Sequence, residues 1–137
     1  MKKVLLASFL GLAGLGAVHA QQRLVLVEHF TQASCGPCAS QNPALKAVLD
    51  ANQGKVIALK YQTSWPGVDP MNAANPTEVA SRVGYYNVSG VPNSVMDGNF
   101  YNGAPSGVNS TRINQRYNAP ASVNLDVKYF IIDNAAP

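Results

Sequence analysis

Leu24-Val25-Leu26-Val27-Glu28-His29-Phe30, followed after the short turn Thr31–Ser34 by Cys35-Gly36-Pro37-Cys38, is the stretch whose reading decides the fold. Its first half is β-rich with little polar alternation, as in a central strand buried on both faces. From Cys35 to Asp50 the composition turns helical, with Leu45, Val48 and Leu49 at core-facing spacing, and Pro43 inside it predicts a kink. Asn52-Gln53-Gly54 stops that helix, and Lys55–Tyr61 reads as a second strand. Strand, helix and strand with short connections make a right-handed parallel βαβ unit, whose sheet must be covered on both faces.

Downstream, Gln62–Ala74 is a loop with Pro66, Gly67 and Pro70 and room for one helical turn. Asn75, Pro76 and Glu78 stand as N-cap, first helical residue and capping-box carboxylate of a helix running to about Val83. Asn93–Met96, the Asp97-Gly98 turn and Asn99–Tyr101 predict a β-hairpin, and Val108–Tyr117 a closing helix. Ala121–Ile132 alternates like a strand with one solvated face. One strand cannot bury itself, so this segment either pairs with a sheet edge or opens a further β domain.

Upstream, residues 1–20 have the layout of a secretory signal: Lys2 and Lys3, an apolar run, then Val18-His19-Ala20 with small side chains for cleavage. The run is short, and rich in Gly and Ala, for a membrane span of about 20 apolar residues. Setting it aside leaves 117 of the 137 residues, the size of one domain. The expected division is signal 1–20, a single α/β domain over 21–119, and a C-terminal β segment over 120–137. Without Lys2 and Lys3, eight basic residues face seven acidic ones, so no nucleic-acid-binding surface is implied.

Only two cysteines are present, three positions apart. A disulfide closing so short a loop contributes only about 2 kcal/mol by chain entropy, against nearly 5 for a loop of about 100 residues, so stapling explains the spacing poorly. At a helix start, unpaired N–H groups and partial positive charge favour a thiolate over a thiol. Cys35, accessible at the helix tip, is therefore the expected attacking sulfur and Cys38, one turn inward, the resolving one. Gly36 would permit the tight turn, and Pro37 removes an N–H that has no partner there. Zinc would need two further ligands where the mature chain offers only His29, so neither a metal nor another cofactor is expected. His29 reads either as a packed core residue or as a proton acceptor beneath Cys38.

Residues 24–118 resemble the thioredoxin family, through Cys35-Gly36-Pro37-Cys38, the helix-kinking Pro43, and Gly90-Val91-Pro92, which is similar to the family's Gly-Ile-Pro-Thr segment. The resemblance implies a three-layer α/β sandwich around a mixed sheet, here with an extra C-terminal strand. It also implies a cis bond before Pro92 and a substrate strand held by the Val91 backbone beside the sulfur. Two departures stand out. Ser34 replaces the family's tryptophan before the first cysteine, and the family's buried acid corresponds to His29, with Glu28 one place off. Gln62-Thr63-Ser64-Trp65-Pro66-Gly67, Asp69-Pro70, Asn75-Pro76, Tyr85-Tyr86, Asp97-Gly98 and Tyr101-Asn102-Gly103-Ala104-Pro105 are further similar to the outer-membrane-associated thioredoxin-like proteins of bacteria.

These readings predict an exported thiol–disulfide oxidoreductase of the periplasm or cell surface, acting on exported proteins that contain cysteines and recharged by a membrane or periplasmic redox partner. Cys35 and Cys38 are the expected catalytic pair. Gly36, Pro37, Val91, Pro92 and Trp65 are expected at the substrate, with Trp65 either a docking aromatic or a cap over the sheet, and His29 and Glu28 are candidates for proton transfer. The alternative is a cell-surface binding module with a non-catalytic disulfide. A thiol peroxidase is disfavoured, because Thr31 precedes Cys35 without evident Pro and Arg partners.

Overall fold

The computed structural model of the chain describes residues 22–121 and Lys128. The expected signal and nearly all of the extra C-terminal strand lie outside the described residues. Within them the order is β1 (Val25–Thr31), α1 (Gly36–Asp50), β2 (Val56–Gln62), α2 (Pro70–Ala74), α3 (Pro76–Tyr85), β3 (Asn93–Met96), β4 (Tyr101–Gly103) and α4 (Ser110–Tyr117), with a 3-10 turn at Pro105–Gly107.

The sheet runs β2-β1-β3-β4. β1 and β2 are parallel, from Val25↔Val56 to Thr31↔Gln62. β3 is antiparallel to β1, with His29 opposite Ser94, and β4 is antiparallel to β3. β1 is thus central, which explains the continuous burial that its unalternated sequence predicts.

Because strand side chains alternate faces, β1 feeds two cores. Val25 and Val27 pack with Leu45 of α1, Met96, Val108 and Ile113 of α4. Phe30 packs on the other face with Tyr86, Val88 and Val95, and Val83 of α3, Tyr61, Trp65 and Val91 lie against them. Helices on both faces of a mixed sheet give the three-layer thioredoxin-like architecture that the resemblance implies.

Three local expectations are corrected. Asn75 precedes α3 but its side chain makes no cap bond; instead its Nδ2 donates to Glu78 Oε2, so the two side chains satisfy each other and not the helix end. The second hairpin strand falls at Tyr101–Gly103, later than expected, because Asp97 and Gly98 both take positive φ and the turn extends to Phe100. The closing helix starts at Ser110, where Asn109 Oδ1 accepts from Arg112 N.

Candidate functional site

Cys35 caps α1. Its backbone is extended and its Sγ accepts the Cys38 N–H at 3.1 Å, so the sulfur takes the role that Ser or Asp fills at ordinary helix starts. A donor aimed at Sγ from the first turn stabilises negative charge there. The two sulfurs form a disulfide, with Cα atoms 5.2 Å apart. The expectation of an open sulfur at the helix tip needs correction: Cys35 is 4% exposed and Cys38 1%.

Gly36 and Pro37 are both exposed in the first turn. The turn does not require Gly36, which has ordinary φ and open space where a Cβ would stand. Val91–Pro92 is a cis bond, as the resemblance implies, and the Val91 carbonyl oxygen lies 3.7 Å from Cys35 Sγ. The proline loop and the cysteine turn, 56 residues apart in sequence, therefore meet.

His29 lies on the α1 face of β1, beneath the helix that carries the cysteines. Its Nδ1 is 2.9 Å from Ser94 Oγ and 3.1 Å from the Asn93 carbonyl, and its Nε2 is 2.9 Å from Asn42 Oδ1. Asn42 Nδ2 in turn donates to Thr31 Oγ1. Burial lowers the His29 pKa, with Lys60 adding to the effect and the Asn42 and Asn93 contacts opposing it. The neutral ring that results can donate from Nε2 to Asn42 and accept at Nδ1 from the Ser94 hydroxyl. No bond to Cys38 is among its contacts, so what the geometry supports for His29 is a polar tie between β1, β3 and α1.

Glu28 occupies the opposite face. Arg82 Nε and Nη2 donate to its Oε1 at 2.9 and 2.6 Å, the Tyr61 hydroxyl donates to the same oxygen at 3.2 Å, and the Tyr86 hydroxyl donates to Oε2. Burial, then the Glu28 carboxylate, push Tyr86 up to about 12. This carboxylate is committed to α3 on the side of the sheet away from α1, which removes it as a proton-transfer group for the cysteines.

Trp65 rests on the Phe30 cluster, as does Val91, a position that fits a cap over the sheet. The loop it begins holds what the sequence reading missed. Trp65–Pro66 is a second cis bond. Asp69 Oδ2 accepts from Ala33 N at 2.8 Å, and its Oδ1 accepts from Met71 N at 2.8 Å and Asn72 N at 3.3 Å. At Gly67 a Cβ would lie 2.3 Å from Ser34 Oγ. Gln32 Oε1 accepts from both the N–H and the hydroxyl of Ser34 at 2.7 Å. The Asp69-Pro70 pair carries the ordinary signal of a cap followed by a first-turn proline. The tie to Ala33 has no local signal.

No protein-family model matches the chain, and no curated protein does. Among solved structures it is similar to one described as the structure of a malarial protein, at 15% identity over 71% of this chain and 100% of the other, with a TM-score of 0.47. A second is the germline-specific thioredoxin Deadhead of Drosophila melanogaster, at 22% identity over 59% of this chain and 65% of that one, with a TM-score of 0.38.

Proposed function

We propose that the protein is an exported thiol–disulfide oxidoreductase that exchanges its Cys35–Cys38 pair with cysteines of other exported proteins. One observation carries the reading: the disulfide caps the start of α1, with the Cys38 N–H on Cys35 Sγ at 3.1 Å and the cis-proline loop alongside. A substrate thiolate attacks Cys35 Sγ, a new S–S bond forms, the Cys35–Cys38 bond breaks, and Cys38 leaves as a thiolate. A second substrate thiolate then attacks the substrate sulfur of the mixed disulfide and releases Cys35. Two substrate thiols have lost two electrons and two protons, which the cysteine pair has gained; the reverse sequence reduces a substrate disulfide. A membrane or periplasmic dithiol or disulfide partner resets the pair, and the short matches to outer-membrane-associated thioredoxin-like proteins support a place at that membrane.

The test is exchange with a model protein disulfide. The refolded protein should catalyse it and Cys35→Ser should not; equal rates for both would refute the proposal. The burial of both sulfurs favours a second reading, a binding module whose disulfide is inert. That reading requires partner binding to survive replacement of both cysteines by serine.

A further inference from the structure

We infer that the free edge of β2 is the seat of the chain's own segment 121–131, which adds there as a fifth strand parallel to β2 and sets Val123, Leu125 and Val127 beside Ile57, Leu59 and Tyr61. The inference is independent of the exchange reading and concerns how the sheet is completed.

β2 is the outermost strand on its side of the sheet, with β1 as its one neighbour among the described residues. An outer strand presents a row of N–H and C=O groups without ladder partners. Its side chains are uncovered as well. Tyr61 stacks on Phe30, with ring centroids 5.1 Å apart, which puts Tyr61 and, by alternation, Leu59 and Ile57 on the α3 side of the sheet. Yet Ile57 is 48% exposed and Leu59 43%. Leu59, Tyr61, Met71 and Val79 line an open groove there, together with Lys60 and Glu78. An apolar outer edge of this kind is an aggregation hazard unless something pairs with it.

The chain leaves α4 at this edge. Tyr117, the last residue of α4, accepts at its carbonyl from Gln22 Nε2 at 2.6 Å, and its ring lies 5.7 Å from Lys55 Nζ, which donates to Asn114 Oδ1 at 2.7 Å. Lys55 immediately precedes β2, so α4 ends where β2 begins. Residues 118–120 can span about 10 Å, twice the spacing of neighbouring strands. A strand that starts here and follows the edge runs parallel to β2. Handedness agrees: β4 points the same way as β1, since each is antiparallel to β3. From β4 the chain passes toward β2 through α4, over the face on which α1 carries it from β1 to β2. The same face and the same direction give the same right-handed crossover.

The pattern of the segment fixes the register. Val123, Leu125, Val127, Tyr129 and Ile131 alternate with Ser122, Asn124, Asp126 and Lys128 up to that point. With Val123 beside Ile57, Leu125 falls beside Leu59 and Val127 beside Tyr61, all on the α3 side. Asp126 then falls beside Lys60 on the other side, an opposite-charge neighbour for a lysine that is exposed and in no ion pair among the described residues. A slip of one residue would set Ser122, Asn124 and Asp126 against the apolar row and lose the charge pair.

The test uses the full chain with Cys35→Ser/Cys38→Ser, to which Leu59→Cys is added with either Leu125→Cys or Asn124→Cys. Mild oxidation should close a disulfide within one molecule about tenfold faster or more for positions 59 and 125 than for 59 and 124, whose side chains point to opposite faces. Hydrogen exchange in the chain with both original cysteines gives an independent reading. Val123→Asp/Leu125→Asp should speed exchange of the β2 amides about tenfold or more and leave those of α1 unchanged, whereas Asn124→Asp should alter neither. Equal rates for the two cysteine pairs, or β2 exchange indifferent to the Asp substitutions at 123 and 125, overturns the inference. Disulfides formed only between molecules overturn it too, by giving the edge to a second copy.

Discussion

Glu28 and His29 are neighbours on β1 that face opposite layers, and their energetics differ accordingly. Glu28 is fully buried, whereas the Arg82 side chain is one-third exposed. Arg82→Met should therefore be the more damaging change, because it leaves a buried carboxylate without its cation, at a cost of about 3 kcal/mol or more. Glu28→Gln leaves an arginine that water can reach, and should cost clearly less by urea denaturation; the reverse order would mean that the buried Glu28 does not depend on Arg82 for its stability. For His29 the sign follows from its lowered pKa. The unfolded chain takes up a proton at a higher pH than the folded one, so stability is complete above the unfolded value of 6.5 and is lost as pH falls from there toward the folded value. The urea midpoint should drop between about pH 7.5 and about pH 5.5, and His29→Gln should flatten that drop. An unchanged slope in the variant would assign the pH dependence to other groups.

At the level of elements, the turn before α1 and the loop before α2 behave as one unit, although 36 residues separate Ala33 from Asp69. Gly67→Ala should cost about 1 kcal/mol, because Ser34 Oγ must rotate away and give up its bond to Gln32. Ser34→Ala should then recover part of that loss in a double-mutant cycle; strict additivity would show that the two residues do not touch. This pairing also marks where the sequence stops being legible. β1, β2, α1 and the cysteine turn are written in local composition, because unbroken apolar runs, Gly54 with its positive φ and the helix-start cysteines act within a few residues of themselves. The Asp69–Ala33 bond, the bracing of Gly67 and the arrest of His29 by Asn42 and Ser94 depend on which elements become neighbours in space. Asn75 shows the converse: a local cap signal is present, and a side-chain pair with Glu78 overrides it.

For the molecule as a whole, two apolar clusters lie on either side of a sheet that β1 organises, and the disulfide sits where one strand end, one helix start and two loops meet. The pair closes too short a loop to hold this assembly together: reducing it should lower stability by about 2 kcal/mol at most, and a cooperative transition should persist under reductant. Collapse on reduction would make the pair a staple. The cap that Cys35 makes on α1 and the cis-proline loop beside it have chemical meaning only if residue 35 supplies a reactive sulfur despite its small exposure. The pH dependence of iodoacetamide alkylation in the reduced protein, with each product located by mass spectrometry, measures this directly. Cys35 should be modified first, with a midpoint below the ordinary thiol value of about 8.5, while Cys38 stays protected. Modification of Cys38 first, or a Cys35 that reacts only once the chain is unfolded, would contradict the account.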